Sequence, residues 1–124
     1  MTVNECIDRA NQLKDHAYDS DVVKGFCEDC DKKLYREIVE VFSDESYGTY
    51  EDRYPLSGDD EIIADDAYGI LYVYYIIAQI DFFNGEIDRY TNDMIMFNTA
   101  LDEYKNYYHR NHLVKNQRTR IMTD

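Results

Sequence analysis

Residues Ile70 to Phe83 read ILYVYYIIAQIDFF and form the most apolar stretch of this 124-residue chain. The stretch is 14 residues long and is interrupted by Gln79 and Asp81, whereas a helix that spans a membrane needs about 20 apolar residues. It therefore predicts a core helix rather than a membrane span. We expect this helix to run from about Asp66 to Tyr90, unless Gly85 ends it.

The apolar residues of this stretch do not form a single stripe. One face carries isoleucine and valine, and the other faces carry aromatic and further aliphatic side chains. Because one small subunit cannot easily cover such a helix, we expect part of it to lie between subunits. Asp81 lies on the least apolar face, and we expect it to be exposed or paired across a subunit boundary rather than catalytic. The candidate interface residues are Tyr72, Tyr75, Ile76, Asp81, Phe82, Phe83 and Arg89.

Two helices are predicted before this stretch. Thr2 and Glu5 have the spacing of a capping box, and the apolar stripe that follows them continues at helical spacing to Ala17. A second helix is predicted to begin at Ser20. It is either one long helix or two short helices that meet near Cys30.

A last helix is predicted to begin near Thr91 or Asn92. Its apolar residues alternate at spacings of three and four, which indicates antiparallel packing on a neighbouring helix. These residues are Met94, Phe97, Leu101, Tyr104 and Tyr108. The sequence therefore predicts an all-α fold, a small helical bundle with two long C-terminal antiparallel helices and an irregular acidic loop. The chain length indicates a single domain, residues 1–112, followed by a basic tail, residues 113–124.

The predicted loop, residues 44–66, interrupts every periodic pattern. It contains the only proline, Pro55, and nine acidic residues against the single Arg53. Segments of this length without regular structure are usually functional or mobile, so we expect the loop either to order against a partner or to stay solvated. Its acids lack the alternating oxygen ligands and central glycine of an EF-hand, which favours a solvated charge run over a calcium site.

The formal net charge is −13, from 26 acidic and 13 basic residues. Residues 105–124 contain five basic residues and one acid, a balance of +4, which leaves 8 basic and 25 acidic residues and a charge of −17 elsewhere. Such a body repels DNA and excludes a broad phosphate-binding face. The start of the chain shows no secretory signal, so we expect a cytosolic origin.

No catalytic motif is recognisable. Cys27 and Cys30 form a CxxC pair that can be drawn into a zinc site with His16, His109 and His112. The cysteines lie on apolar helical stripes, however, where Cys commonly acts as a small buried side chain. The sequence also lacks a nucleophile elbow and a glycine-rich phosphate loop. We therefore expect no enzyme activity, no metal and no cofactor.

The run from Tyr68 to Tyr108 resembles small connector proteins that are encoded beside the capsid gene in phages and prophages of Gram-positive bacteria. The matching features are a Tyr-rich helix, the sequence DFFNGE at residues 81–86, Arg89-Tyr90, Phe97-Asn98 and a Tyr-Tyr pair. The strong likeness covers about a third of the chain, and residues 11–17 match weakly.

The resemblance implies all-α subunits that assemble into a homo-oligomeric ring of about twelve copies under the portal vertex of the capsid. Such a head–tail connector, or adaptor, extends the DNA channel, binds the portal protein and joins the head to a neck or tail-completion protein. The implied location is the head–tail junction of the virion, after assembly in the bacterial cytoplasm. The acidic loop departs from the family, so no family role for it carries over.

Charge suggests roles for two segments of such a connector. An acidic tunnel wall denies phosphates a binding site, so DNA passes without being bound; the candidate channel residues are Asp59, Asp60, Glu61, Asp65 and Asp66. The basic C-terminal segment is either a portal-docking arm or a frayed, solvated terminus. The docking candidates are Arg110, Lys115, Arg118 and Arg120.

The main alternative function is that of an acidic DNA mimic, a monomer or dimer that inhibits a DNA-binding enzyme. The mass of the particle in solution separates the two, because a large or concentration-dependent oligomer favours a connector. A third class, a small helical enzyme or metalloprotein, predicts zinc or iron in the purified protein.

Overall fold

The computed structural model describes residues 1–64 and 66–123, and for residue 66 and residues 112–123 it describes the backbone alone. Within these ranges the chain is helical, apart from loops and one isolated β-bridge between Thr2 and Glu61. The α-helices are α1 (Val3–Leu13), α2 (Ser20–Leu34), α3 (Tyr50–Arg53), α4 (Ile70–Phe83) and α5 (Ile87–Thr123). A π-helical turn, Tyr35–Val39, follows α2, and the 3-10 turns are Glu45–Tyr47 and Asp66–Tyr68. The predicted all-α bundle is confirmed.

Helix α4 lies at the centre of the bundle and packs against α1, α2 and α5. These three helices bury most of its length, which corrects the expectation that a second subunit is needed to cover it. Tyr72 and Ile76, two of the predicted interface residues, are fully buried in the core of their own chain. The apolar side chains of α4 that stay exposed lie at its C-terminal end, at Phe82 and Phe83.

A Schellman motif ends α4 at Gly85. The Glu86 amide donates a hydrogen bond to the Asp81 carbonyl, and the Gly85 amide donates one to the Phe82 carbonyl. Gly85 has a φ of +78°, which glycine adopts without the steric cost that a Cβ imposes. The alternative in which Gly85 breaks the long helix is therefore the observed one, and α4 covers residues 70–83 rather than 66–90.

Helix α5 runs back along α4 in the opposite direction. Three aromatic pairs show which residues lie side by side along the two helices. Their ring centroids are 4.9 Å apart for Tyr68 and Tyr107, 5.3 Å for Tyr75 and Phe97, and 5.1 Å for Phe82 and Tyr90. The helix begins at Ile87, four residues before the predicted start. Its backbone continues to Thr123, so the predicted tail is, up to that residue, part of the same helix.

Helix α1 has the predicted capping box. The Glu5 amide donates to Thr2 Oγ1 at 3.2 Å, and the Glu5 carboxylate accepts from the Thr2 amide at 3.4 Å. The helix ends at Leu13 because Lys14 is extended. Leu13 and Ala17, which the periodic stripe placed on the buried face, are therefore exposed.

Helix α2 is continuous through Cys30, so the alternative with two helices that meet there is wrong. It passes at Tyr35 into a π turn, in which the Glu40 amide donates to the Tyr35 carbonyl at 2.9 Å. The wider turn shifts the helical register, so that Val39 is buried and Val41 is 68% exposed.

The acidic loop orders against its own chain rather than staying solvated. Its backbone pairs with the start of α1, where the Val3 amide donates to the Asp60 carbonyl at 3.0 Å and the Ile62 amide donates to the Met1 carbonyl at 3.0 Å. Its apolar side chains enter the core. The buried ones are Leu56, Ile62, Ile63 and Ala64.

Candidate functional site

The cysteine and histidine side chains that could be drawn into a zinc site lie in separate surroundings where they are described. Among the described side chains, those of residues 1–64 and 67–111, no group of three or more His, Cys, Asp or Glu is arranged to hold a metal ion. The side chain of His112 lies outside the described residues. The thiols of Cys6, Cys27 and Cys30 are free and buried, and a hydrogen bond with Cys6, together with burial, raises the pKa of Cys27 far above its usual range. His16 hydrogen-bonds with Asn11, and His109 packs against Phe42.

A fully buried carboxylate, Asp31 on α2, is the centre of a hydrogen-bond network that sequence reasoning missed. Asp31 Oδ1 accepts from the Tyr72 hydroxyl at 2.5 Å and from the Ile63 amide at 3.0 Å. Asp31 Oδ2 accepts from Arg53 Nε at 2.8 Å and from the Tyr54 hydroxyl at 2.6 Å. Four donors therefore satisfy one carboxylate, which offsets the cost of burying it.

The donors to Asp31 come from α4 and from the acidic loop, so this network ties the loop to the helical core. Burial and the neighbouring Asp31 charge raise the pKa of Tyr72 and of Tyr54, which keeps both hydroxyls protonated as donors. The sequence held one signal for this site. Asp31 follows Cys27 by four residues and precedes Leu34 by three, which places a charge on the buried stripe of α2.

A second buried cluster joins α1, α4 and α5. Lys14 Nζ lies 2.7 Å from Asp81 Oδ1 and 2.9 Å from Glu86 Oε2. Asp81 is 2% exposed, so the expectation that it is exposed or paired across a subunit boundary is wrong: its cation comes from the end of α1 in the same chain. The Asp81 side chain can be buried because the Lys14 ammonium group neutralises its charge near the C-terminal end of α4.

Asp93 on α5 completes this cluster beside Asp81. Burial raises the pKa of Asp93 to about 7, assisted by its hydrogen bond with Asp81 and by the Asp81 charge. Burial also acts to raise the pKa of Asp81, but hydrogen bonds from Asp93 and Lys14 outweigh it and lower that pKa. As neutral pH is approached from the alkaline side, protonation of this pair therefore favours Asp93 over Asp81.

Three of the five candidate DNA-channel residues have described side chains, and these three are on the surface. Asp59, Asp60 and Glu61 are exposed. Asp60 accepts a hydrogen bond from the Ser57 amide at 2.7 Å, and the Glu61 carboxylate lies 3.2 Å from the chain's terminal ammonium group. Asp65 and the side chain of Asp66 lie outside the described residues. The three described carboxylates thus form part of a surface beside the N-terminus of α1.

A cleft of about 640 Å³ lies beside the loop and contains further carboxylates. Tyr35 and Val39 contribute to its walls, and acidic side chains surround them. These acids are Glu40, Asp44, Glu45, Glu51 and Asp52. The negative charge of the molecule is thus concentrated here as well as at residues 59–61.

The predicted interface residues that remain on the surface lie around the α4–α5 turn. Phe82 is 46% exposed and Phe83 is 59% exposed, and the Arg89 side chain is 68% exposed. Tyr75 is half-buried against Phe97. The predicted interface set therefore divides into a core part and a part available to a neighbouring molecule.

The basic C-terminal segment is only partly described. Arg110 is exposed, whereas the side chains of Lys115, Arg118 and Arg120 lie outside the described residues. Lys105, which contributed to the +4 balance, is paired with Glu37 at 2.6 Å. One of the five basic charges is therefore already neutralised within the chain.

We found no match to the chain among family models, curated proteins or solved structures. No helix within the described residues has the length and apolar character needed to cross a membrane. The described part of the chain forms an all-α bundle with internal polar networks, an acidic surface and an exposed aromatic turn at Phe82 and Phe83.

Proposed function

We propose that this chain is a head–tail connector subunit of a tailed bacteriophage or prophage, which forms a ring under the portal protein and extends the DNA channel. The observation that carries the proposal is the exposed pair Phe82 and Phe83 at the α4–α5 turn. These residues belong to DFFNGE, residues 81–86, one of the features by which the run resembles connector proteins. Exposed aromatic residues at a fixed turn are typical of surfaces that become buried on assembly.

The bundle and its charge support the same proposal. A small all-α subunit is what the resemblance implies, and the net charge of −13 suits a channel wall past which DNA slides without binding. The exposed carboxylates of Asp59, Asp60 and Glu61 are candidates for that wall. The basic end of α5, including Arg110, is the proposed contact with the portal protein.

The experiment that tests the proposal is co-expression of the full chain with the portal protein from the same genome. We expect the two proteins to co-purify and to give, by electron microscopy, a ring stacked on the portal. A variant that lacks residues 113–124 is expected to lose only the helical circular dichroism of the deleted part of α5, to keep the folded bundle, and to lose portal binding. A full chain that never binds the portal protein contradicts the connector function.

The acidic cleft is the observation that favours a second candidate, a DNA mimic. Its carboxylates, including those of Glu45 and Glu51, are surface charges of the kind that compete with phosphates for a basic protein surface. Light scattering separates the candidates. A stable monomer or dimer that displaces DNA from a DNA-binding enzyme supports the mimic, and assembly into a large ring supports the connector.

A further inference from the structure

Five ionisable side chains meet where α1 ends and where α4 turns into α5. We call them the turn cluster and define it as Lys14, Asp81, Glu86, Arg89 and Asp93. Lys14 Nζ lies 2.7 Å from Asp81 Oδ1 and 2.9 Å from Glu86 Oε2. An Arg89 nitrogen lies 3.6 Å from the same Glu86 oxygen, and Asp93 hydrogen-bonds with Asp81. Two cations thus face three carboxyl groups, so the cluster is neutral only while one carboxyl group carries a proton.

The hydrogen bond between Asp81 and Asp93 requires that proton. Ionised carboxylates accept hydrogen bonds but have no proton to donate, so two of them do not bond to each other. Asp93 Oδ2 is buried, and no N–H or hydroxyl group in the described part of the chain donates to it. Asp81 is 2% exposed, so water screens it little from its neighbour. Loss of the proton therefore turns this contact from attractive to repulsive.

The pKa values of the two carboxyl groups agree with this geometry. The pKa of Asp93 is raised to about 7, mainly by burial and then by Asp81, whereas the pKa of Asp81 is lowered. The proton of the pair therefore resides on Asp93. It leaves near neutral pH rather than at about pH 4, where an exposed aspartate titrates.

The turn cluster joins three segments of the chain. Lys14 begins the α1–α2 linker, residues 14–19, and attaches it to the end of α4 through Asp81. The Tyr18 hydroxyl, in the same linker, donates to Asn84 Oδ1 at 2.8 Å. From the other side, Asp93 attaches the first turns of α5 to Asp81. The α4–α5 turn is therefore held closed between the linker and α5.

Histidine also commonly titrates near neutral pH, and the linker contains His16. Its Nε2 atom lies 2.6 Å from Asn11 Oδ1, and its Nδ1 atom accepts from the Tyr18 amide at 3.1 Å. His16 therefore needs its own control in any pH experiment. The charged groups of the cluster around Asp93 are Asp81 of α4, Glu86 of the turn, Lys14 of the linker and Arg89 of α5.

We propose that the Asp81–Asp93 pair is a proton-operated latch: with its proton it holds the linker and the first turns of α5 closed around the end of α4, and without it the α4–α5 turn opens. The exposed rings of Phe82 and Phe83 lie on this turn, so the proton decides whether they are presented in one fixed arrangement. The latch follows from contacts within one chain and is independent of the connector function.

The direction of the pH effect follows from where the proton is held. The closed turn keeps the proton of Asp93 up to about pH 7, whereas in the open turn the solvated carboxyl group loses it at about pH 4. Opening therefore becomes up to about tenfold more favourable per pH unit between about pH 4 and pH 7, and it levels off above about pH 7.

Hydrogen exchange of single amides, measured by NMR on the full chain, tests the latch. The Glu86 amide donates to the Asp81 carbonyl and the Tyr90 amide to the Glu86 carbonyl, so both report the closed turn. We expect their protection factors, each taken relative to the intrinsic exchange rate at the same pH, to fall by about tenfold or more between about pH 5 and pH 8. The reference is the Glu40 amide, which donates to the Tyr35 carbonyl in the π turn. Its protection factor is expected to change by less than about twofold.

Three variants assign the effect to a side chain. Asp93→Asn replaces the protonated carboxyl group by an amide that donates to Asp81 at every pH, so we expect the turn to stay protected at about pH 8. Asp88→Asn, at an exposed acid on the same helix, is the matched control and is expected to keep the wild-type loss of protection. His16→Gln is expected to keep that loss as well.

Four results overturn the latch. Unchanged protection at Glu86 and Tyr90 means that Asp93 loses its proton without opening the turn. A parallel loss at Glu40 means that the whole bundle opens. A loss that persists in Asp93→Asn, or one that disappears in His16→Gln, assigns the pH dependence to another group.

A measurement on the unmodified chain keeps the test decisive if circular dichroism shows that Asp93→Asn is misfolded. The carboxyl carbon signal of Asp93 reports its ionisation directly in a ¹³C NMR titration. We expect the midpoint of this titration to match the pH at which the loss of protection at Glu86 and Tyr90 levels off. A mismatch between the two also overturns the latch.

Discussion

The Tyr72 hydroxyl donates a 2.5 Å hydrogen bond to Asp31 between two fully buried side chains, and this bond joins α4 to α2 at the centre of the bundle. The same carboxylate holds Arg53 of the acidic loop. The Asp31 carboxylate therefore ties α2 to α4 and also ties the acidic loop to this pair of helices. Its removal is predicted to affect the core and the loop together.

Substitution Asp31→Asn is predicted to lower the free energy of unfolding by about 3 kcal/mol, because it leaves the Arg53 guanidinium without its anion and replaces one of the two acceptor oxygens, each of which accepts two hydrogen bonds, by a donor NH2 group. Urea unfolding followed by circular dichroism measures the change. Asp29→Asn, an exposed site two residues earlier on α2, is the matched control and is expected to change the free energy by less than about 0.5 kcal/mol. Equal effects at the two sites contradict the network.

Removal of the Lys14 cation is predicted to destabilise the fold through Asp81. Lys14→Met leaves a carboxylate that is 2% exposed without its cation, and we expect a loss of about 2 kcal/mol in the free energy of unfolding. Lys33→Met removes a solvent-accessible pair with Glu37 and is expected to cost less than about 1 kcal/mol. Thermal unfolding of both variants at pH 7 compares them, and a smaller effect at Lys14 contradicts the assignment.

The stability of the protein is predicted to fall between about pH 4 and pH 7 through Asp93. The pKa of Asp93 is about 7 in the folded chain and about 4 in an unfolded one. In this window the folded state holds the proton that the unfolded state releases, so the contribution of Asp93 is complete below about pH 4 and is lost as the pH rises through about 7. The charged side chains that face Asp93 are Asp81 on α4, Lys14 after α1 and Arg89 on its own helix.

The variant Asp93→Asn checks this pH dependence by urea unfolding at several pH values between about 4.5 and 8, a range that brackets the folded-state pKa. We expect it to remove most of the decline and to be the more stable protein at the alkaline end. Asp81, whose pKa is lowered, loses its own contribution only as the pH falls below about 4. Asp88→Asn, an exposed site on the same helix, should leave the decline unchanged. A decline that survives in Asp93→Asn refutes the assignment.

Two glycine-to-alanine substitutions are predicted to have opposite signs. Gly85→Ala places a Cβ at a φ of +78° and is expected to destabilise the fold by about 1 kcal/mol. Gly25 lies inside α2, where an added Cβ would meet no atom within 4 Å; there, Gly25→Ala is expected to stabilise the fold by about 0.5–1 kcal/mol. Denaturant midpoints measure both, and a shift of the same sign in the two variants contradicts the prediction.

Local features of the fold were predictable because they depend on residues close together in the sequence. The capping box of Thr2 and Glu5 joins positions three apart, and the buried stripe of Phe97, Leu101 and Tyr104 repeats within one helix. Gly85 was recognisable as a possible helix end for the same reason. The all-α class follows from such periodic patterns, since each helix satisfies its own backbone hydrogen bonds.

Which polar and apolar side chains are covered depends on how distant segments of the chain pack together. Asp81 meets Lys14 from 67 positions away and Asp31 meets Tyr72 from 41 positions away, and no local pattern encodes such partners. The exposure of Phe82 and Phe83 likewise depends on where α1, α2 and α5 cover α4. Most helices could be located from the sequence, because helical hydrogen bonds join residues that are close along the chain. Packing among distant segments decided which charges are buried and left one aromatic turn on the surface.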